Sequence, residues 1–280
     1  MQVFLNGQII KEEDAKIPIS DLSYQFGFGL FETIKCEQNI PIFFEAHYKR
    51  LTHSAKELVM PFPVEADEIK KWIKDLLAAN KLTNARVRIT ISKRLGDKFN
   101  VLIMALPFDK LSVSYTLLGK TLSRDANSVS FKHKTTSRAD SYRAYMDAQS
   151  KGFNDALYSN EKNELIECTR ANIFLVMEDK IITPLLESGI LSGVTREKVI
   201  DIAKKEGIAV EEKNVHCLYL NKAIDVFITN AIVGVMPVSR IVLSDKEYTF
   251  SKSSMLVKLK NAYDTSVQEY LKKSLNLITN

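Results

Sequence analysis

The alternation of apolar and polar residues predicts a β-hairpin at the start of the chain. Apolar runs at 3–5 and 8–10 flank Asn6-Gly7, and both turn residues tolerate the positive φ angles of a type I′ turn. Further along, apolar residues spaced by three and four predict helices, whereas strict alternation predicts strands. These patterns predict a strand after Gly27 and Gly29, helices over about 44–60 and 65–79, and strands over 86–92, 101–106 and 113–118.

The rest of the chain predicts a second unit of strands and helices. Ser137 fits the N-cap of a helix, and Gly152 fits the residue that ends it. Helices are also predicted over about 195–206 and 252–273, and short strands over 156–158, 173–177, 180–183 and 225–229. We therefore expect a mixed α/β protein with a small N-terminal α/β domain, residues 1–117, and a larger C-terminal domain, residues 118–280.

The composition argues against several classes of protein. Of the 280 residues, 45% are hydrophobic and 26% are charged, which is typical of a globular chain. The sequence has neither an apolar run of about 18 residues nor a secretory signal, so we predict a cytoplasmic protein that contacts no membrane. The net charge of +5 is spread along the chain and does not indicate nucleic-acid binding. Cys36, Cys168 and Cys217 are far apart and predict neither a disulfide framework nor a metal site.

Two residues could supply an amine and an acid for catalysis. Lys134 lies at a predicted junction before a helix, and it could attack a carbonyl if burial or a neighbouring cation lowered its pKa from about 10.4. Glu167 would alternate with Ile166 in a strand, so it could face a pocket and stabilise a protonated ring nitrogen. Taken alone, each residue is more typical of a solvated surface position.

Two turns could bind a phosphate group. In residues 189–196 (GILSGVTR), glycines and hydroxyl residues lead into a helix, whose first N–H groups and dipole suit an anion. Residues Asn230-Ala231-Ile232 follow an apolar strand and offer further donors. Taken alone, these segments also fit a capped turn and an ordinary strand exit. Together with an amine and an acid, two such turns are what pyridoxal 5′-phosphate (PLP) requires.

The order of these motifs resembles the class IV aminotransferases, the fold-type IV PLP enzymes. This family includes branched-chain aminotransferases, D-amino acid aminotransferases and aminodeoxychorismate lyases. The resemblance covers nearly the whole chain and implies a two-domain α/β fold of the α+β type, like that of D-amino acid aminotransferase, with PLP in the interdomain cleft of a homodimer. The matching motifs are Asp21 with 25–32 (QFGFGLFE), 47–51 (HYKRL), Lys134, 167–174 (ECTRANIF), Thr183-Pro184, 189–196 and 230–238 (NAIVGVMPV).

The resemblance also implies a role for each candidate residue. Lys134 would form the Schiff base with PLP and move protons, with Lys132 as the competing lysine; counting back from the short strand near residue 155 favours Lys134. Glu167 would hold the protonated pyridine nitrogen. The phosphate would be bound by Arg50 and by the backbone N–H groups of Val194, Thr195, and Ala231 or Ile232.

The resemblance leaves the reaction open between two chemistries. Ala231 stands where branched-chain and D-amino acid enzymes usually carry threonine, and together with Arg138 it looks more like an aminodeoxychorismate lyase. Phe31-Glu32 looks like the transaminase version of the early motif. We expect the lyase, which eliminates pyruvate to give 4-aminobenzoate for folate synthesis. The alternative is a branched-chain or other α-amino acid aminotransferase.

Two further questions stay open at the level of sequence. The substrate carboxylate could meet Arg88, Arg94 or Arg138, and the register of the strand at 86–92 decides between the first two. The alternative to an enzyme is a protein that has the fold of the PLP enzymes but no catalytic activity and serves as a binding module. Retention of Lys134 and Glu167, together with Arg50, argues against that hypothesis.

Overall fold

The computed structural model describes residues 1–60, 62–94, 96, 98–108, 112–122 and 128–279. It confirms a mixed α/β chain, whose contacts divide it into two compact units. The first unit comprises Met1–Lys110, His133–Arg138 and Val267–Asn280, and the second comprises Leu111–Lys132 and Ala139–Ser266. The expected domain division between residues 117 and 118 stays a prediction. The contact grouping differs from it chiefly because segments 133–138 and 267–280 belong with the first unit.

The first unit is built on a six-stranded sheet whose neighbours all pair antiparallel. Its strands are β1 Gln2–Leu5, β2 Gln8–Lys11, β3 Gly29–Glu37, β4 Ile40–Pro41, β5 Ala85–Lys93 and β6 Phe99–Leu106. They lie in the order β2-β1-β6-β5-β3-β4. Asn6 and Gly7 have φ angles of 50° and 93°, so the predicted tight turn of the first hairpin is confirmed.

The first unit contains the helices α1 Leu22–Phe26, α2 Phe44–Glu57 and α3 Ala66–Ala79, together with the last part of the C-terminal helix. The buried positions of α3 are Ile69, Ile73, Leu76 and Leu77, each 0% exposed. Burial of such a side chain contributes about 1.5–3 kcal/mol, so this helix face holds the core of the unit together. Helix α2 ends three residues before its predicted end because Leu58 leaves the helical conformation and Val59 has a φ of 52°.

The second unit contains a ten-stranded sheet. Its strands are β7 Tyr115–Thr121, β8 Asp155–Ser159, β9 Glu164–Cys168, β10 Asn172–Val176, β11 Lys180–Pro184, β12 Ala209–Lys213, β13 Val215–His216, β14 Asp225–Asn230, β15 Gly234–Leu243 and β16 Lys246–Thr249. The order is β12-β11-β10-β14-β15-β7-β8-β9-β13, with β16 paired to β15. The pairs β11–β12, β15–β7 and β7–β8 are parallel, and the others are antiparallel.

The remaining helices are α4 Val129–Lys132, α5 Ala139–Ser150, α6 Val194–Lys205 and α7 Ser254–Thr279. The predicted helices are confirmed with shifted ends. Helix α5 begins two residues after Ser137, so that serine is not the residue directly before the helix. Strand β15, which the sequence analysis did not predict, follows the turn at Asn230. None of the described helices combines the length and apolar composition that crossing a bilayer requires.

Candidate active site

Lys134 is held beside the start of β3 by backbone and side-chain hydrogen bonds. Its carbonyl oxygen accepts a bond from the Phe31 N–H at 2.9 Å, and the Thr136 N–H donates to the Gly29 carbonyl at 2.8 Å. The Thr136 hydroxyl donates to the Gly27 carbonyl at 2.7 Å. A Cβ on Gly29 would lie 3.0 Å from the Thr136 hydroxyl oxygen. The glycine therefore allows the lysine segment to approach the strand closely.

The environment of Lys134 makes its amine a nucleophile at neutral pH. Desolvation by burial lowers the pKa of Lys134 to about 7, and the positive charges of Arg50, Arg138 and Arg88 act in the same direction against that of Glu32. A substantial fraction of the side chain is therefore unprotonated at pH 7. Lys132, the competing lysine, is exposed at the end of α4.

Beside Lys134, the carboxylate of Glu32 joins two residues of α2. Its Oε1 accepts from Arg50 Nε and its Oε2 from Arg50 Nη2, both at 2.7 Å. Oε2 also accepts from His47 Nδ1 at 2.7 Å. Burial lowers the pKa of His47, despite the opposing effect of Glu32, so the ring is neutral and Nδ1–H is the donor. The sequence analysis assigned no role to Glu32 or His47.

The charge of Glu32 is maintained although the residue is only 1% exposed. Burial alone would raise the pKa of Glu32, but Arg50 and the bond from His47 outweigh burial and hold this pKa well below its usual range. The sequence does contain a signal for Glu32 and His47, because each is polar at a position where the pattern expects an apolar side chain. Glu32 interrupts an apolar strand, and His47 occupies the buried face of α2.

The arginines proposed for a substrate carboxylate lie in different places. The guanidinium carbon of Arg88 is 3.7 Å from the ring centroid of Phe31, and the ammonium nitrogen of Lys134 is 4.5 Å from the same centroid. Arg88 Nε lies 3.4 Å from the Thr90 hydroxyl oxygen. Arg94 follows the end of β5, and its N–H donates to the Lys98 carbonyl at 2.8 Å.

Arg88 is a half-buried cation that carries no ion pair within the described part of the chain. Burial and the like charges of Arg138 and Arg86 lower its pKa. The strand register settles its direction, since Val87, Ile89 and Ile91 are buried and Arg88 faces the opposite side of β5. The charges of Arg88 and Arg138 both act on Lys134 and lower its pKa, whereas Arg94 is not among the charges that do so.

In the second unit, Glu167 is held by two neighbouring groups. Its Oε2 accepts from the Leu191 N–H at 3.0 Å and from Asn172 Nδ2 at 3.4 Å. Asn172 Nδ2 also donates to the Leu191 carbonyl at 2.9 Å. A Cβ on Gly193 would lie 2.1 Å from Asn172 Oδ1, which explains the glycine. Asn172, which the sequence analysis did not single out, thus helps to fix the carboxylate of Glu167.

The two turns with possible phosphate donors differ in how their N–H groups are used. Gly193 precedes α6 and provides no side-chain cap. The Glu197 N–H donates to the Gly193 carbonyl at 2.9 Å, which is the first hydrogen bond of the helix. The N–H groups of Val194 and Thr195 have no intrahelical partner for this reason. The Thr195 hydroxyl is buried without a hydrogen-bond partner in the described structure.

In the second turn, Asn230 Oδ1 accepts from the N–H groups of Ile232 and Val233, both at 2.9 Å. Asn230 therefore occupies the Ile232 N–H that was proposed as a phosphate donor. In the described structure, the Asn230 side chain accepts hydrogen bonds from Ile232 and Val233 and not from the Ala231 N–H. Of the two residues considered in this turn, Ala231 fits an anion better.

Comparisons with known proteins agree with one another on the family. The family model described as Amino-transferase class IV matches residues 29–241. A "Putative branched-chain-amino-acid aminotransferase" from Methanocaldococcus jannaschii is 29% identical, covering 86% of this chain and 88% of the relative. The aminodeoxychorismate lyase of Bacillus subtilis is also 29% identical, covering 85% and 86%. The crystal structure of a branched-chain aminotransferase from Thermoproteus uzoniensis aligns with a TM-score of 0.87 at 28% identity, covering 99% of this chain and 97% of the other.

Proposed function

The chain belongs to the class IV aminotransferases, a family of PLP-dependent enzymes, and from this premise we propose that it is a 4-amino-4-deoxychorismate lyase. The proposal rests on one observation above all: Arg88 and Lys134 both lie over the ring of Phe31, and the charges of Arg88 and Arg138 both lower the pKa of Lys134. The substrate of this reaction carries an amine and two carboxylates. Two cations in addition to Arg50 near the candidate nucleophile suit that combination of charges.

Each unit, taken by itself, holds residues that would suit part of PLP. The amine of Lys134, with a pKa of about 7, suits a carbonyl carbon. The start of α6, with the N–H groups of Val194 and Thr195, suits the phosphate, as does the guanidinium of Arg50. The carboxylate of Glu167, fixed by Asn172 and Leu191, suits a protonated pyridine nitrogen.

When bound, PLP supplies a reactive carbonyl and a ring that withdraws electrons from the substrate carbon. Lys134 would hold PLP through its side-chain nitrogen, and its free amine would accept the proton that leaves the substrate carbon. Glu167 would keep the proton on the ring nitrogen. Arg88 and Arg138 bind the carboxylates and orient the bond that breaks. Loss of that proton would break the C–O bond to the enolpyruvyl group, which would take up a proton and leave as pyruvate, so that 4-aminobenzoate remains.

The alternative reaction is transamination by a branched-chain or other α-amino acid aminotransferase. The alignment with the T. uzoniensis enzyme over nearly the whole chain favours it. In that reaction Lys134 would return the proton that it took from the amino acid, the amino group would stay with the cofactor, and hydrolysis by water would release a 2-oxo acid. Arg88 would then bind a carboxylate of the amino acid.

A homodimer forms part of the proposal, supported by large apolar side chains that are exposed close together in the sequence of the first unit. They are Ile17, Ile19, Tyr24 and Phe26, of which Ile19 is 81% exposed and Phe26 72%. The expected cytoplasmic location stays a prediction.

The test separates the two reactions by their products. The PLP-loaded protein is mixed with aminodeoxychorismate, and separately with L- and D-amino acids plus 2-oxoglutarate. The proposal predicts pyruvate and 4-aminobenzoate from aminodeoxychorismate, with no net amino transfer from the amino acids. Rapid amino transfer without release of 4-aminobenzoate would establish the aminotransferase instead.

A further inference from the structure

Helix α2 begins without a capping side chain of its own. Phe43, the residue before it, has a φ of 53° and makes no side-chain cap. The first bonds back to Phe43 come from the N–H groups of Ala46 and His47, at 3.1 and 3.4 Å. The N–H of Phe44 therefore needs an acceptor from outside the helix.

Tyr270, which lies on α7, supplies that acceptor. Its hydroxyl oxygen accepts from the Phe44 N–H at 3.2 Å, and the hydroxyl donates to Glu45 Oε2 at 2.7 Å. The Tyr270 ring meets the Phe43 ring edge to face, with the centroids 5.1 Å apart. A single side chain near the C-terminus thus contacts three consecutive residues at the start of α2.

The capped turn leads directly to the residues that surround Glu32. His47 lies three residues after Phe44, and Arg50 lies three residues after His47. Both bind Glu32 at 2.7 Å. Because these bonds are short and buried, a small movement of the first turn of α2 would disturb them. Arg50 is also the neighbouring charge that lowers the pKa of Lys134 most.

We propose that Tyr270 is a positioning residue for the cofactor site, which fixes the first turn of α2 and thereby the places of His47 and Arg50 against Glu32. The inference rests on the proposed function, in which Arg50 binds the phosphate of PLP. Tyr270 does not touch the reacting atoms. It acts through the helix that carries the phosphate-binding side chain.

The test compares Tyr270→Phe with Tyr48→Phe in the full chain. Tyr48 lies on α2, and its hydroxyl donates to the Val64 carbonyl at 2.9 Å, so its variant also loses a hydroxyl hydrogen bond that involves α2, but one that leaves the Phe44 N–H untouched. PLP is removed, and its re-binding is measured by absorbance between pH 6 and 9. Loss of a helix cap costs free energy, and if that cost falls on the form of the protein that binds PLP, we expect about 3- to 10-fold weaker PLP binding in Tyr270→Phe. We also expect the pH midpoint of binding to rise in that variant, because Arg50 no longer stands as close to Lys134, and neither quantity to change in Tyr48→Phe.

Equal PLP affinity and an equal pH midpoint in the two variants would overturn the inference while leaving the proposed function intact. Failure of the unmodified protein to bind PLP at all would overturn both. If Tyr270→Phe does not fold, Glu45→Ala tests the same contact at a side chain that is 63% exposed. Its matched control is Asp67→Ala, which removes another acid that pairs with Lys70 in the first turn of a helix. Glu45→Ala should weaken PLP binding and Asp67→Ala should not; equal binding would overturn the inference.

Discussion

Glu32 binds Arg50 at two points, with Oε1 and Oε2 each 2.7 Å from a different guanidinium nitrogen. This arrangement fixes both the position and the plane of the guanidinium. Arg50 can therefore face an anion without rearranging when the anion arrives. The same carboxylate lies close enough to Lys134 to raise its pKa, so Glu32 influences both the candidate phosphate site and the candidate nucleophile.

Replacing Glu32 should therefore damage two properties at once. Glu32→Gln leaves Arg50 without its buried counter-charge, and breaking such a pair typically costs about 3–5 kcal/mol of unfolding free energy. The variant should also lower the pKa of Lys134 further, since the opposing negative charge is lost. Chemical denaturation measures the first effect and the pH dependence of PLP binding the second. A pKa of Lys134 that rises in the variant would contradict this assignment.

The stability conferred by Glu32 should depend on pH. Its pKa is lowered in the folded protein, so the unfolded chain takes up its proton first as the pH falls. The contribution is present above the ordinary glutamate pKa of about 4.3 and declines as the pH falls below it. Unfolding at pH 7 and pH 3.5 should therefore show a larger stability difference between the unmodified protein and Glu32→Gln at pH 7. A difference that grows on acidification would contradict the sign.

Removing a positive neighbour of Lys134 should raise the pH at which it reacts. In the unmodified protein, PLP binding should increase through a midpoint near pH 7, the pKa of Lys134. Arg138→Gln removes one of the charges that lower this pKa, so the midpoint should move upward. Lys132→Gln is the control, since Lys132 is exposed and should leave the midpoint unchanged. An unchanged midpoint in Arg138→Gln would show that this arginine does not act on Lys134.

Arg88 should be needed for the substrate but not for the cofactor. A charged hydrogen bond is typically worth about 1.5–3 kcal/mol, so Arg88→Gln should lower kcat/KM by about 10- to 150-fold. PLP affinity should stay unchanged. Arg94→Gln, after the end of β5, serves as the control and should retain activity. Comparable losses in both variants would contradict the choice of Arg88.

The candidate site could be proposed from the sequence because its residues lie in motifs that occur in the order typical of the family. Lys134, Glu167 and the start of α6 are assigned through that resemblance, since each motif taken alone also fits an ordinary surface position or turn. The alternation in β5 also indicates that Arg88 points away from Val87 and Ile89. The choice between Arg88 and Arg94 still required the pairing of β5 with β3, because only that pairing puts Arg88 beside Phe31.

Other features depend on contacts between distant parts of the chain. The low pKa of Lys134 results first from burial and then from the charges of arginines on α2, on β5 and in the segment before α5, and no spacing in the sequence encodes these surroundings. The use of the Ile232 N–H by Asn230 depends on how the turn closes. Tyr270 caps a helix that begins 226 residues earlier, so no local pattern predicts its contact with Phe44.

The most direct test of the account is to identify the lysine that binds PLP. The PLP-loaded protein is reduced with borohydride, digested and analysed by mass spectrometry. The account predicts a single phosphopyridoxyl group, attached to the side chain of Lys134, and its disappearance in Lys134→Arg. Attachment to Lys132, or no attachment at all, would contradict the central assignment.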